Sequence, residues 1–207
     1  MKITLIGASG YVGSALLTEA LDRRHQITAL VNDTSKVTAH GHVEIRAVDA
    51  TNADELASAA SGHDLVISAF NPGRDPDGSG VRAIISGTKR AGIARLLVVG
   101  GAGSLLLPSG ERLIDQPDFP TEWRGGALLT SAFLDILKQE AELDWVFLSP
   151  AATLTPGPRT RNYRVGKDHL LTDEKGESRI SLADFAVAML DEAERPAHHR
   201  ERFTVAY

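Results

Sequence analysis

The stretch Ile3-Thr4-Leu5-Ile6-Gly7-Ala8-Ser9-Gly10-Tyr11-Val12-Gly13, continuing into Ser14-Ala15-Leu16-Leu17-Thr18-Glu19-Ala20-Leu21, decides the fold. A short apolar run, a glycine turn and a helical pattern follow one another, and Gln26-Ile27-Thr28-Ala29-Leu30-Val31 supplies a second strand. Together they form a βαβ unit of the expected length, ~30 residues. That order sets backbone N–H groups and the positive end of a helix dipole in front of a phosphate, the outline of a dinucleotide site. Gly7 serves the tight turn off the strand, Gly10 the approach of main chain to pyrophosphate, and Gly13 the close packing of helix on sheet. The spacing is G-x-x-G-x-x-G, one residue longer in its first half than G-x-G-x-x-G.

Outward from this unit, short β-rich runs alternate with helical patterns. This predicts an α/β fold, a Rossmann-like doubly wound, mostly parallel sheet with helices on both faces. Further strands are expected at residues 43–48, 64–70, 95–99 and 144–148, and helices at 52–60, 81–91, 127–141 and 182–194, with Asn52 as a cap. Residues 71–80 are dense in turn formers and read as a mobile loop, and residues 105–126, with three prolines and a closing Gly125-Gly126, as a long irregular connection. Tyr163-Arg164-Val165 and His169-Leu170-Leu171 read as a small hairpin, and Arg202-Phe203-Thr204-Val205-Ala206 as a final edge strand.

A length of 207 residues suits one domain over residues 1–207, NAD(P)-binding by its glycine turn, and the resemblance set out below implies that its part from about 150–180 faces the substrate. Twenty-two basic and 27 acidic residues give a net charge of −5 without a basic block, which argues against a nucleic-acid partner. The absence of cysteine excludes disulfides, thiolate catalysis and cysteine-ligated metals. No run reaches the ~18 apolar residues of a membrane helix, so no membrane partner and a cytoplasmic location are expected.

Several segments resemble one family. The glycine turn, Ala29-Leu30-Val31-Asn32-Asp33-Thr34-Ser35-Lys36, Val98-Val99-Gly100-Gly101-Ala102-Gly103-Ser104-Leu105 and Asp144-Trp145-Val146-Phe147-Leu148-Ser149-Pro150 are similar to the NAD(P)H-binding atypical short-chain dehydrogenase/reductases. Phe133-Leu134-Asp135, Arg159-Thr160-Arg161-Asn162-Tyr163-Arg164, Ser178-Arg179-Ile180-Ser181 and Arg202-Phe203-Thr204-Val205 are similar to the NADH-flavin reductase group within it. The match spans essentially the whole chain and is specific for fold and cofactor rather than substrate. Relatives of the extended branch carry a Ser after the fifth strand and Tyr-x-x-x-Lys on the next helix. Here Gly100-Gly101 stand at the Ser position, and Ala127 and Ser131 at the Tyr and Lys positions. The pair that protonates a carbonyl oxygen is gone, which weighs against sugar epimerase or alcohol dehydrogenase chemistry.

The cofactor is expected across the carboxyl ends of the strands, at the switch point between the first and fourth. This puts Gly7, Ser9, Gly10, Tyr11, Val12 and Gly13 of the turn against it, with Asn32 and Lys36 after the second strand and Asp49 after the third. Ala69 and Phe70, Gly100, and Pro150 follow from the fourth, fifth and sixth strands. The resemblance sets Asp49 against the adenine amino group, the alternative being a turn or capping aspartate. Asn32 is neither the acid that binds a ribose 2′-hydroxyl nor the cation that accepts a 2′-phosphate. Thr34, Ser35 and Lys36 tip the balance to NADP, with NAD as the alternative and Asp33 opposing.

His40-Gly41-His42 and His198-His199 lack a third-ligand spacing, so they are read as solvated and no metal is expected. Arg159, Arg161 and Arg164 suit either an anionic substrate or structural ion pairs. Phe119 and Trp123 suit anchoring of the long loop ahead of covering an aromatic ligand. Ser104, Thr130 and Ser131 are the nearest hydroxyls to a nicotinamide; Ser104 and Tyr163 are the candidates for a catalytic acid, without an evident base. These features predict an NAD(P)H-dependent oxidoreductase of a small-molecule acceptor, a flavin, quinone or similar planar ring. The alternatives are a non-catalytic redox sensor and, more weakly, a reductase of small carbonyl compounds.

Overall fold

Strands covered on both faces must be apolar nearly throughout, as the central runs are, whereas the run at 43–48 is broken by Glu44 and Arg46. A computed structural model describes residues 1–38, 41 and 43–207. Its strands are β1 (Lys2–Ile6), β2 (Gln26–Val31), β3 (Val43–Ala47), β4 (Leu65–Ser68), β5 (Arg95–Val99), β6 (Asp144–Ser149), β7 (Thr153–Thr155), β8 (Arg164–Gly166), β9 (Arg179–Ser181) and β10 (Glu201–Ala206). Among the described residues eight strands make one sheet in the order β3-β2-β1-β4-β5-β6-β10-β8. Its pairings are parallel except β10 with β8. The crossover helices are α1 (Tyr11–Asp22), α2 (Ala53–Ala60), α3 (Ser79–Arg90), α4 (Thr121–Leu137) and α5 (Leu182–Glu194).

Alternation along each strand divides the core. Ile3, Leu5, Val146, Leu148 and Phe203 meet α1 and α5 on one face. Ile6, Val66, Leu96, Val98 and Phe147 meet α2, α3 and α4 on the other. Each such side chain contributes about 1.5–3 kcal/mol on burial. Where α1 approaches α5, the buried Glu19 accepts from Arg23 at 2.7 Å and from both arms of Arg159 at 2.6 and 2.7 Å. Burial opposes its ionisation, yet the hydrogen bonds from Arg159 and Arg23 prevail and hold its carboxyl below the usual glutamate range.

The structure corrects several expectations. α4 begins at Thr121, inside the stretch read as irregular, and Gly125 and Gly126 are helical. A Cβ on Gly73 would stand 3.2 Å from Gly126 Cα, so the missing side chains let the 3₁₀ turn at Pro72–Arg74 cross tightly over this helix. That turn lies in the segment read as a mobile loop, which is instead pinned by the buried Asp75. The Asp75 carboxylate accepts from Ser79 Oγ and Gly80 N at 3.1 Å and from Val81 N at 3.0 Å, satisfying the open amides of α3. α1 and α3 also start earlier than their apolar periodicity shows, at Tyr11 and Ser79.

The hairpin at 163–171 is not formed. β8 pairs with β10, while His169 bridges Leu106, because Asp168 in the intended turn is taken by Arg202 at 2.7 Å. β10 is consequently not an edge strand, and β8 takes that place. β7 and β9 form a separate parallel pair that lacked a sequence signal, three residues each being too few for a period.

Candidate functional site

The glycine turn is built as its spacing requires. Gly7 adopts φ +77°, and a Cβ there would meet Ala69 O at 2.8 Å, so only glycine fits. Its N–H donates to Leu30 O at 2.9 Å, and Gly10 N–H donates to Gly7 O at 3.0 Å, closing the loop. A Cβ on Gly13 would stand 2.0 Å from Gly7 O, so α1 packs against the turn itself rather than the sheet. Gly10 precedes α1 with no side-chain cap, leaving the first-turn amides of that helix open to an anion.

In front of this turn lies a cleft of ≈ 380 Å³ over the carboxyl ends of β1, β2 and β4. It gathers Gly7, Ser9, Gly10, Asn32, Lys36, Asp49, Ala69 and Phe70. Tyr11, Val12, Gly13, Gly100 and Pro150 lie outside its lining. Tyr11 turns outward, its hydroxyl donating to Leu154 O at 3.3 Å, and Pro150 is buried.

At the far end of the cleft, Asp33 organises the turn after β2. One of its oxygens accepts from Ser35 N at 3.0 Å and Ser35 Oγ at 2.6 Å, and the other lies 3.7 Å from Lys36 Nζ. The Ser35 hydroxyl, the Ser35 amide and the Lys36 charge hold its carboxyl below the usual aspartate range. Ser35 and Lys36 therefore already serve Asp33. Asp49 accepts from Thr51 N at 2.9 Å and Thr51 Oγ1 at 2.8 Å, both on one oxygen, as a turn-forming aspartate does. Arg74 also lines the cleft and makes no ion pair among the described residues. Sequence reading missed it because the loop's composition speaks of turns, although Asn71-Pro72 marks the ordered 3₁₀ turn that carries it.

Beyond β5, Gly100, Gly101 and Gly103 let neighbouring side chains pack closely on the main chain. A Cβ on Gly100 would strike Phe147 Cε1 at 2.2 Å, so the place of the relatives' serine is filled by a core aromatic. A Cβ on Gly103 would stand 3.1 Å from Ala127 Cβ, which puts Ala127 against this stretch. The Ser131 hydroxyl donates to Ala127 O, and that of Thr130 to Gly126 O, both at 2.9 Å. Neither hydroxyl proton is free.

Ser104 and Tyr163 are not brought together. Ser104 accepts from Arg202 at 2.9 Å, while Tyr163 packs in the α1/α5 core and its hydroxyl lies 3.3 Å from Asp191. Burial, then the Asp191 carboxylate, raises the Tyr163 phenol above its usual range. Arg159 belongs to Glu19, Arg164 donates to the carbonyls of Thr172 and Tyr207, and Arg161 presents its N–H to Asp184 at 2.7 Å. Trp123 is 63% exposed on α4 and anchors nothing, contrary to the expectation. His198 is not solvated: it contacts Glu192 at 2.7 Å and stacks on Phe203. His199 is exposed, and His40 and His42 lie outside the described residues.

A doubly wound sheet with a glycine cradle at its switch point defines a nicotinamide-dinucleotide-binding protein of Rossmann type. The family model described as NAD(P)H-binding matches residues 7–193, and the chain belongs to that family. It is 43% identical to the Bacillus subtilis (strain 168) protein YwnB, covering 99% of this chain and 98% of that one. A solved structure from Bacteroides thetaiotaomicron, named a "putative epimerase", superposes with a TM-score of 0.95 at 48% identity, over 100% of this chain and 96% of its own. SP1627 from Streptococcus pneumoniae TIGR4, named a "putative NADH-flavin reductase", gives 0.85 at 36%, over 100% and 99%. No helix of the described residues is long and apolar enough to cross a membrane.

Proposed function

We propose that this protein is an NAD(P)H-dependent reductase that passes hydride to a flavin, quinone or similar planar acceptor, with NADPH the preferred donor. The observation that carries the reading is a glycine cradle leading to a carboxyl edge without an available acid. Phe147 fills the serine position, Ala127 replaces the tyrosine, and the Ser131 proton is spent on Ala127 O. A bound reduced nicotinamide supplies the hydride. The chain's residues supply the positioning: the Gly7–Gly13 turn and the amides of α1 fix the diphosphate, and the carboxyl edge beside them offers the acceptor no side-chain acid. Acceptance of hydride by a conjugated ring leaves little charge for a side chain to neutralise, and solvent supplies the proton. The segment after Pro150, tied to the turn by Tyr11, borders the acceptor side.

Absorbance at the reduced-nicotinamide band, followed with riboflavin, a quinone and simple ketones, tests this. Oxidation is expected to be faster with the flavin and quinone than with ketones and to vanish in a cofactor-site variant. Cofactor binding without acceleration by any acceptor overturns the reductase reading in favour of a sensor. Faster turnover of aliphatic carbonyls points instead to an acid, with Ser104 and Tyr163 the first to substitute.

For the NADPH preference, Lys36 and Arg74 are the cations among the residues that line the cleft. Lys36→Ala and Arg74→Ala are each expected to weaken NADPH relative to NADH, by about 1–3 kcal/mol for a charge-assisted contact. Arg74→Ala should show the larger loss, because Lys36 leans on Asp33. Calorimetric titration with both cofactors measures it, and equal losses reverse the preference.

A further inference from the structure

β3 is a free edge of the sheet. Among the described residues it is the outermost strand and pairs only with β2, and it runs five residues against the three of β8 at the opposite edge. Just past it, Val48 N–H donates to Val31 O at 3.0 Å. Peptide groups alternate in direction along a strand, so those of Arg46 and Glu44 also turn inward to β2. The N–H and C=O groups of Val43, Ile45 and Ala47 turn outward, and no strand of the described residues meets them.

The side chains divide in the same rhythm. Val43 and Ile45 pack against the core on the α1 and α5 face. Glu44 and Arg46 stand on the other face, where a hollow of ≈ 610 Å³ lies between Arg46 and Val48 on one side and Asp54, Ser58 and Ala59 of α2 on the other. Within one chain the two charges hold each other at 2.7 Å and stay about half exposed, Glu44 at 56% and Arg46 at 42%. Edge strands are ordinarily kept from a second sheet by a proline, a bulge or lysines. β3 has no proline or lysine, and its register with β2 is unbroken from Val43 to Ala47. Opposite charges about an apolar centre, Glu44-Ile45-Arg46, make the strand complementary to its own inverse.

We propose that β3 is the docking edge for a second copy of this chain, the two strands lying antiparallel about a two-fold axis at Ile45. In that register the outward peptide groups meet as hydrogen-bonded pairs, Ile45 with the partner subunit's Ile45 and Val43 with the partner subunit's Ala47. Glu44 falls opposite the partner subunit's Arg46, and Arg46 opposite the partner subunit's Glu44, at the non-hydrogen-bonded positions where side chains approach most closely. A slip of one residue would set outward peptide groups against inward ones. A slip of two would set Glu44 against its own copy, or Arg46 against its own. The charges therefore choose both the partner and the register, and the two-fold axis closes the assembly at a dimer.

Sedimentation velocity of the protein over a dilution series is the test. The wild type is expected to dimerise. Arg46→Glu sets acid opposite acid and Glu44→Arg sets base opposite base, so each should weaken the dimer by between about ten- and a hundred-fold. Each breaks only an exposed pair within the chain, so melting should stay close to that of the wild type. Mixing the two variants should give a heterodimer, and the protein carrying both Glu44→Arg and Arg46→Glu should recover the homodimer. Ala47→Pro keeps the charges and removes an outward N–H that the single chain does not use, so it should abolish the dimer on its own.

A wild type that stays monomeric at every concentration overturns the proposal. So does a dimer that survives Arg46→Glu and Ala47→Pro alike, since its contact then lies elsewhere on the molecule. Single variants that dissociate but do not associate when mixed, with no recovery in the doubly exchanged protein, overturn the register and the proposal with it. Should Ala47→Pro melt early, the mixture of the two charge variants decides.

Discussion

Gly10→Val is expected to give a folded protein that has lost NADPH and NADH alike, each by at least about 100-fold, or ~2.7 kcal/mol. Gly10 sits at φ −77°, ψ 172°, a conformation open to any residue, so the valine backbone is unstrained. A Cβ there meets Gly7 O at 3.2 Å, tight but tolerable with a small shift. Gly7 O is the one atom the Cβ meets within 4 Å, so the two methyl groups extend into the open space beside the cleft that Gly10 lines. They would occupy the space in which a diphosphate meets the amides of α1. Because the obstruction lies at the part common to both cofactors, the ratio between them should not change. Calorimetric titration beside a thermal melt checks this: undiminished binding in a folded variant would falsify the cradle. Gly13→Ala is the informative contrast. Its Cβ would lie 2.0 Å from a backbone oxygen, so it should melt early.

The second large effect falls on Asp184, which is fully buried in the first turn of α5. Its carboxylate accepts from Thr160 Oγ1 at 2.5 Å, Arg161 N at 2.7 Å and Tyr207 OH at 2.8 Å. Asp184→Ala leaves all three donors without an acceptor, at about 1–3 kcal/mol for each that water does not reach. Arg161 adds to the loss, since its φ of +60° is costly for a side-chain-bearing residue and is held by the Asp184 bond. A destabilisation of about 3–4 kcal/mol follows, a fall in Tm on the order of 10 °C. Calorimetry measures the first, and limited proteolysis at residues 158–163 should show that segment released. Melting unchanged within 2 °C or so would mean that the three donors find other partners.

The parallel core was legible because a strand covered on both faces is apolar through its middle, and β1, β2, β5 and β6 carry such runs behind a polar first residue. The cradle was legible because Gly7 and Gly13 answer to steric demands that no other residue meets. What the chain hid was long-range. Asp168 reads as a turn residue until Arg202 appears beside it, 34 residues later in the chain. Thr153-Leu154-Thr155 carries no period at all, and becomes a strand only because Arg179-Ile180-Ser181 lies alongside. Gly125-Gly126 signals a break by propensity, yet tertiary packing of the 3₁₀ turn at Pro72–Arg74 overrides it. At the site, the conformation of the glycine turn could be read from spacing. The place of Arg74 in the cleft lining could not, since it depends on where the 3₁₀ turn at Pro72–Arg74 runs.

β10 lies inside the sheet, between β6 and β8, although it is the last strand in sequence. During synthesis, then, the ribosome delivers the strand that joins two parts of the sheet after both have emerged. Until residues 201–206 leave the exit tunnel, β6 presents an open row of peptide groups, and β8 has no strand to lie against. The growing chain is most vulnerable to pairing with its neighbours in that interval, and protection by a chaperone would matter most there.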